Sequence, residues 1–209
     1  MTALRYGVFI AFCSSLVLLT AQVLQTLSFG RRRLHSEAEG SRLSGMAYAL
    51  GRGMMPWEKE SAARHLPTYV AGMIYHAGIF AAILSVLLLA AGIRPPEAAV
   101  AVLRILLAAG FLSGTGLLLK RVAYPKMRSI SCPDDYASNL LVDGFVFFGL
   151  LSSWRDAASP LFFSAAILAF LYMPLGKIRH CFFFFYSRIL FGSYFGRRGV
   201  LPRRRSAKA

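Results

Sequence analysis

Residues 68–93 run TYVAGMIYHAGIFAAILSVLLLAAGI, and this stretch decides the fold class. It contains no Asp, Glu, Lys or Arg, and it is longer than the ~20 residues that a helix needs to cross a bilayer. Further apolar segments, each about as long or extendable to that length, lie at 7–29, 98–119, 139–153 and 159–185. The pattern predicts an all-α integral membrane protein with five transmembrane helices in a single domain, residues 1–209.

Composition narrows the function classes. The chain has 209 residues, of which 56% are hydrophobic, and a formal net charge of +15. Its Lys and Arg residues lie almost entirely between the apolar segments, and no soluble basic module interleaved with aromatics is present, which argues against a nucleic-acid partner and for anionic lipid. The three cysteines lack CxxC spacing, so the sequence predicts no zinc or iron–sulfur site in this chain.

The distribution of basic residues predicts the orientation. The loops 30–67 and 120–138 and the segment from Lys177 to the end together hold 20 Lys and Arg residues, whereas the opposite side holds Arg5, Arg94 and Arg155. By the positive-inside rule, the N-terminus is expected outside and the C-terminus in the cytoplasm. We therefore expect a multi-pass protein of the cytoplasmic (inner) membrane with a basic cytoplasmic tail over residues 186–209.

The first segment is expected to be a true span rather than a cleaved signal peptide. Its apolar run is too long for a signal peptide, and it lacks a small-residue cleavage site. Arg31, Arg32 and Arg33 follow at once and are typical of a stop-transfer flank. Further along the chain, the run from Ser131 to Asp135 indicates the start of the fourth helix, and Pro174 predicts a kink in the fifth.

Ionisable groups within a bilayer are costly and usually functional. The predicted spans contain few of them: His76, Arg104, Asp143 and His180, with Lys177 and Arg179 beside the last. His76 and His180 fall on different antiparallel spans, each eight or nine residues from a cytoplasmic end. This matched depth suits two axial ligands of one haem iron on facing helices. The alternative is that each histidine only bonds a neighbouring helix.

Small and basic residues near the two histidines fit the haem hypothesis. Gly72 and Gly176 each precede a histidine by one turn, which lets a flat macrocycle approach the helix. Three basic residues are expected to pair with haem propionates near the cytoplasmic interface, namely Lys177, Arg179 and Arg64. His65 is a competing ligand, eleven residues before His76. Pro67 lies between the two, so we expect His65 at the membrane surface.

Asp143 is the one carboxylate well inside a predicted span. A quinone site needs a proton relay, and a shielded carboxyl group can supply it. The alternative is a helix-end carboxylate paired with a nearby base: Lys120, Arg121 or Lys126. Arg104 either binds a quinone carbonyl or, more simply, extends outward to the interface.

Two segments that contain the histidines resemble a known family. Tyr75–Ile79 (YHAGI) and Met173–His180 (MPLGKIRH) are similar to the cytochrome b (gamma) subunit of respiratory nitrate reductase. They look closer still to the membrane subunits that accompany heterodisulfide-reductase-like iron–sulfur proteins in sulfur metabolism. The loops Gly53–Trp57 (GMMPW) and Ser129–Tyr136 (SISCPDDY) resemble the same branch, and the resemblance covers about residues 50–200.

The resemblance implies four axial histidines and two haems, from which this chain departs. The second pair is expected ten residues after His76 and eighteen before His180, where the sequence has Val86 and Phe162. One haem b is therefore expected, unless His65 or a methionine such as Met73 or Met173 ligates another.

The implied function is electron transfer between the quinone pool and a cytoplasmic iron–sulfur subunit of a heterodisulfide-reductase-like or nitrate-reductase-like complex. The chain would then be a subunit of a quinone-linked oxidoreductase. Its basic end, from Gly196 to Arg205, is expected to dock on that partner or on anionic lipid. Two alternatives remain: a cofactor-free membrane anchor for a peripheral redox enzyme, and a small transporter. Transporters tend to have repeats and broken helices, which the sequence does not indicate.

Overall fold

The computed structural model describes residues 1–30, 37–58 and 60–202 and is 83% helical. No strand occurs in these ranges, so the predicted all-α class is confirmed. The α-helices of the described residues are α1 (Thr2–Gln25), α2 (Arg42–Leu50), α3 (Glu60–Arg64), α4 (Leu66–Ala90), α5 (Glu97–Ala123), α6 (Pro125–Ser129), α7 (Pro133–Ser152), α8 (Ser159–Tyr172) and α9 (His180–Arg197). The predicted stop-transfer arginines, Arg31–Arg33, and the last basic cluster, Arg203–Arg205, lie outside the described residues.

Within the described residues, three helices are long and apolar enough to cross a membrane: α1 with the short turn that follows it, α4 and α5. They correspond to the first three predicted segments. Helix α4 ends at Ala90 and is closed by a glycine two residues later: Gly92 adopts φ 76°, and the Ile93 amide donates to the Leu88 carbonyl. Pro95 and Pro96 then separate α4 from α5, whose first turn begins with Glu97.

The fourth predicted segment is helical but more polar. Helix α7 begins where predicted, after a capping box in which the Cys132 amide donates to Asp135 Oδ2 at 2.9 Å. Asp134, Asp135, Asn139 and Asp143 all lie on it, and α7 is not among the helices that qualify as membrane spans by length and composition within the described ranges.

The fifth predicted segment is not one helix, which corrects the prediction for 159–185. Helix α8 ends at Tyr172, a turn over Met173–Gly176 follows, and α9 begins at His180. The sequence predicted only a kink, but buried Pro174 has no amide hydrogen, and the amides of Leu175 and Gly176 both bond the Tyr172 carbonyl. The two helices qualify as a span only when taken together as one broken segment, which gives three to four candidate spans.

The helices form two compact units. The first unit comprises Met1–Thr20 and Pro67–Arg179, and the second comprises Ala21–Leu66 and His180–Ala209. Buried residues from α1, α4, α5, α7 and α8 build the core of the first unit, in which Phe162 stacks on Phe145 with ring centroids 5.4 Å apart. Helices α4 and α5 touch closely in this unit, because a Cβ on Gly78 would lie 2.6 Å from the Gly110 Cα.

The second unit is built on glycine contacts between α2 and α9. A Cβ on Gly192 would lie 2.5 Å from the Gly45 carbonyl oxygen, and a Cβ on Gly196 would lie 2.6 Å from the Gly45 Cα. Gly192 and Gly196 are four residues apart and share one helix face, so the backbones approach without side chains between them. Residues 186–197, which belong to the basic segment 186–209 of the sequence analysis, lie in α9.

Arg104 reaches the end of a neighbouring helix in the first unit. Its guanidinium donates two hydrogen bonds to the carbonyl oxygen of Ser153, just beyond the last residue of α7, and lies 5.8 Å from the centre of the Trp154 ring. A cation at a helix C-terminus satisfies carbonyls that have no partner within the helix. The structure thus gives Arg104 a capping contact, consistent with an outward-reaching side chain.

Candidate functional site

His76 lies exposed on α4, and a backbone carbonyl positions its ring. Nδ1 is 2.7 Å from the carbonyl oxygen of Gly72, one turn earlier. A carbonyl can only accept, so in a neutral imidazole the proton is on Nδ1 and the lone pair is on Nε2. Metal-ligating histidines commonly have this arrangement, with the second nitrogen held by a carbonyl. The side of Gly72 is open, since a Cβ there would meet no atom within 4 Å.

Asp143 is the most buried carboxylate of the described residues and belongs to what we call the Asp143 cluster: Tyr75, Asn139 and Asp143. Asp143 is only 6% exposed to solvent. The Asn139 amide donates to Asp143 Oδ2 at 3.0 Å and to the Tyr75 hydroxyl at 3.2 Å. The Tyr75 ring lies edge-on to His76, with 6.3 Å between centroids. The cluster thus links Asp143 to Tyr75, which directly precedes His76 in the sequence. From sequence alone, Asp143 and His76 had no such connection.

A glycine on α5 makes room for this cluster. A Cβ on Gly114 would overlap with Asp143 Oδ1 and would lie 2.8 Å from a carbon of the Tyr75 ring. Gly114 is itself buried. The closeness of the three helices at this level therefore depends on a residue without a side chain. Gly114, Tyr75 and Asn139 were all absent from the site predicted from sequence.

Two of the three bases near Asp143 in the sequence, Lys120 and Arg121, have other partners. Lys120 donates to the Thr68 hydroxyl at 2.5 Å, and Arg121 donates to the Ser131 hydroxyl at 2.9 Å. Arg121 also pairs with Asp135, at 3.5 Å. Among the described residues none forms an ion pair with Asp143, and its Oδ1 is buried without a hydrogen-bond partner. This arrangement favours the functional hypothesis for Asp143 over the helix-end ion pair.

Asp143 also lines an open groove of about 320 Å³ between α5 and α7. The other lining residues are mostly apolar: Phe111, Thr115, Leu118, Leu140, Gly144 and Phe147. The rings of Phe111 and Phe147 lie 5.2 Å apart, centroid to centroid. A single buried carboxylate in an apolar groove is typical of a site for a largely apolar ligand with one polar end.

The start of α7 holds a second polar group, which engages Lys177. The Lys177 ammonium lies 2.7 Å from Asp135 Oδ2, and the Lys177 amide donates to Asp134 Oδ2 at 2.8 Å. The pKa of Asp135 is lowered to about 2, chiefly by the hydrogen bond from Lys177 and next by the hydrogen bond from the Cys132 amide. The pKa of Asp134 is also lowered by hydrogen bonds, and the largest effect comes from the bond that the Tyr172 hydroxyl donates. Lys177, predicted as a propionate partner, thus already pairs with α7.

Gly176, assigned from sequence to haem approach, packs against the same group. A Cβ there would lie 2.7 Å from Tyr172 Cζ and 2.9 Å from Asp134 Oδ1. The close packing of the turn after α8 is therefore sufficient to explain this glycine. Gly72 has no such packing explanation, because its side is open.

The remaining predicted site residues lie in different places. His180 is the first residue of α9 and belongs to the second unit, whereas His76 belongs to the first. Arg179, Arg64 and His65 are exposed. Because the fifth segment is broken before His180, its depth can no longer be inferred from a continuous helix. Matched depth therefore no longer supports a shared haem, and the pairing of the two histidines stays a prediction.

The two apolar positions at which the resembled family has further histidines lie in the core of the first unit. Val86 is fully buried, and Phe162 is 1% exposed and stacked on Phe145. Within the described ranges no group of three or more His, Cys, Asp and Glu side chains could hold a metal ion. A pair of axial histidines has only two members, so this finding does not bear on it. No family model matches the chain, and searches of curated proteins and of solved structures find no match.

Proposed function

We propose that this chain is a membrane subunit of a quinone-linked oxidoreductase, which transfers electrons between the quinone pool and a cytoplasmic iron–sulfur partner. It would bind one haem b through His76 and His180. The observation that carries the proposal is the hydrogen bond from His76 Nδ1 to the Gly72 carbonyl, which orients the ring and leaves the lone pair on the ligating nitrogen.

The membrane topology belongs to the same proposal. Five crossings, with the N-terminus outside and the C-terminus in the cytoplasm of the inner membrane, follow from the charge distribution. They require α7 to cross despite its polar residues and require α8 and α9 to count as one broken span. The basic C-terminal segment would dock on the iron–sulfur subunit or on anionic lipid.

The residues around the histidines divide into two roles. A haem held by two imidazoles supplies a one-electron relay when it is bound. Gly72 keeps the helix surface beside His76 open, and Arg179 and Arg64 are the basic residues suited to propionates. Lys177 suits that role less well, because pairing with a propionate would compete with its contact to Asp135.

The Asp143 cluster would handle protons. Oxidation of a quinol to a quinone releases two electrons and two protons, so the electrons would leave one at a time through a one-electron relay and the protons one at a time through Asp143. Asp143 is buried and lacks an ion pair among the described residues, and Asn139 links it to Tyr75, the residue that precedes His76 in the sequence. This adjacency favours coupling of electron and proton transfer in one part of the first unit.

The proposal predicts that a quinol reduces the protein directly. In detergent-solubilised, air-oxidised protein, decylubiquinol or menadiol should produce a b-type alpha band that reaches most of the amplitude obtained with dithionite. An optical difference spectrum measures this. If dithionite produces the band and neither quinol does, quinone-linked transfer would be contradicted, while the assignment of a bound haem would stand.

Two observations favour a second candidate, a small transporter. The fifth segment is broken between α8 and α9, and a buried carboxylate lies on a neighbouring helix; both features are common in transporters. The transporter candidate would be favoured over electron transfer by two results together. The purified protein would have no b-type spectrum, and it would move protons or cations across vesicle membranes, an activity lost in Asp143→Asn.

A further inference from the structure

The groove between α5 and α7 has one feature that its apolar walls do not explain. Asp143 lines it, is only 6% exposed, and has one carboxylate oxygen, Oδ1, without a hydrogen-bond partner in the described part of the chain. A buried acceptor left without a donor loses the hydrogen bond that it would make to water, which is unfavourable. Oδ1 lies on the side of Gly114 and the Tyr75 ring and has almost no exposed surface, so a ligand in the groove would reach it after a small rotation of the carboxylate.

We infer that this groove is the binding site for the ring of a quinol, with Asp143 accepting a hydrogen bond from a ring hydroxyl. The inference rests on the proposed function, to which it adds the place where the substrate binds. A lipid acyl chain fits the apolar walls but has no hydrogen-bond donor for Asp143. A quinol has both an apolar ring system and a hydroxyl donor.

The shape of the groove agrees with an aromatic ring. From Leu140 to Phe147 it follows two turns of α7, about 10 Å at 1.5 Å per residue. Its volume of about 320 Å³ lies at the lower end of the range for small-molecule sites. The rings of Phe111 and Phe147 pack on each other and together form one aromatic wall, on which a planar ligand can stack in an offset arrangement. Thr115 adds a hydroxyl-bearing side chain on the α5 side.

Gly144 allows the groove to be blocked without disturbing the protein. It lies on α7 within the groove lining, and a Cβ at this position would meet no atom within 4 Å. Gly144→Leu should therefore place a side chain in the groove and leave the helix packing intact. Gly116 on α5 is the matched control, since a Cβ there also meets open space but the residue does not line the groove.

The test is photolabelling of the full chain in detergent by reduced azido-ubiquinone, with decylubiquinol as competitor. We expect competed label in peptides of α5 and α7, lost by about tenfold or more in Gly144→Leu and unchanged in Gly116→Leu. Asp143→Asn should weaken competition while haem content stays at the wild-type level, because a neutral amide accepts a hydrogen bond less strongly than a carboxylate.

The outcomes separate this inference from the function on which it rests. Competed label elsewhere in the chain, unaffected by Gly144→Leu, would overturn the groove and leave quinone-linked transfer standing. A haem-containing protein that quinol reduces but that shows no competed label on α5 or α7 would also overturn it. Protein without haem and without competed label would overturn both.

Discussion

Replacement of His76 by Ala is expected to remove haem b from the protein. An axial ligand lost from one helix leaves the iron held from one side only, and loss of even an outer-shell partner of a metal ligand typically costs 10–100-fold in affinity. We therefore expect haem content below about one tenth of wild type. A pyridine haemochrome assay on protein purified to equal yield measures the content, and His180→Ala should give the same result.

The matched control for this prediction is His65→Ala. His65 is exposed and lies just before α4, eleven residues from His76, so it tests whether any nearby histidine matters. Haem content should stay at the wild-type level in this variant. Full haem content in His76→Ala, or loss in His65→Ala, would show that the ligand assignment is wrong.

Replacement of Gly192 by Leu is expected to separate α2 from α9. The new Cβ would lie 2.5 Å from the Gly45 carbonyl oxygen and 2.6 Å from the Met46 Cα, so backbone rather than a flexible side chain would have to move. Overpacking typically costs about 1–3 kcal/mol, and we expect the upper end of that range where backbone must move. Amide hydrogen exchange of α2 should then accelerate about 100-fold, as 1.4 kcal/mol corresponds to a factor of ten.

Ser187→Leu on the same helix is the control for this effect. Ser187 is exposed, and its hydroxyl bonds only the Phe184 carbonyl of its own helix. The same side chain added there should leave exchange in α2 unchanged. Equal exchange in wild type and Gly192→Leu would mean that the glycine contact does not hold α2 in place.

Much of the fold could be predicted from local sequence. Helices α1, α4 and α5 follow from uninterrupted apolar length. The start of α7 follows from the cap at Cys132 and Asp135. The break after Tyr172 could not be predicted in the same way. Whether Pro174 bends or ends a helix depends on partners for the freed polar groups, and Asp134, about forty residues away, accepts the Lys177 amide.

The site could be predicted in part. Asp143 stood out as a carboxylate in an apolar run, and Asn139 could have been found, because four residues separate the two on one helix face. Tyr75 and Gly114 could not, since they come from two other helices and only tertiary packing brings them to Asp143. For the same reason the sequence offered Lys120 and Arg121 as partners of Asp143, while the structure gives them Thr68, Ser131 and Asp135.

The haem-to-protein ratio of the purified full chain, taken with its reduced-minus-oxidised spectrum, tests the central claim most directly. The account predicts about one haem b per chain, with the low-spin spectrum of an iron held by two imidazoles. Protein purified from haem-sufficient cells, folded and helical, that has no b-type alpha band would contradict it.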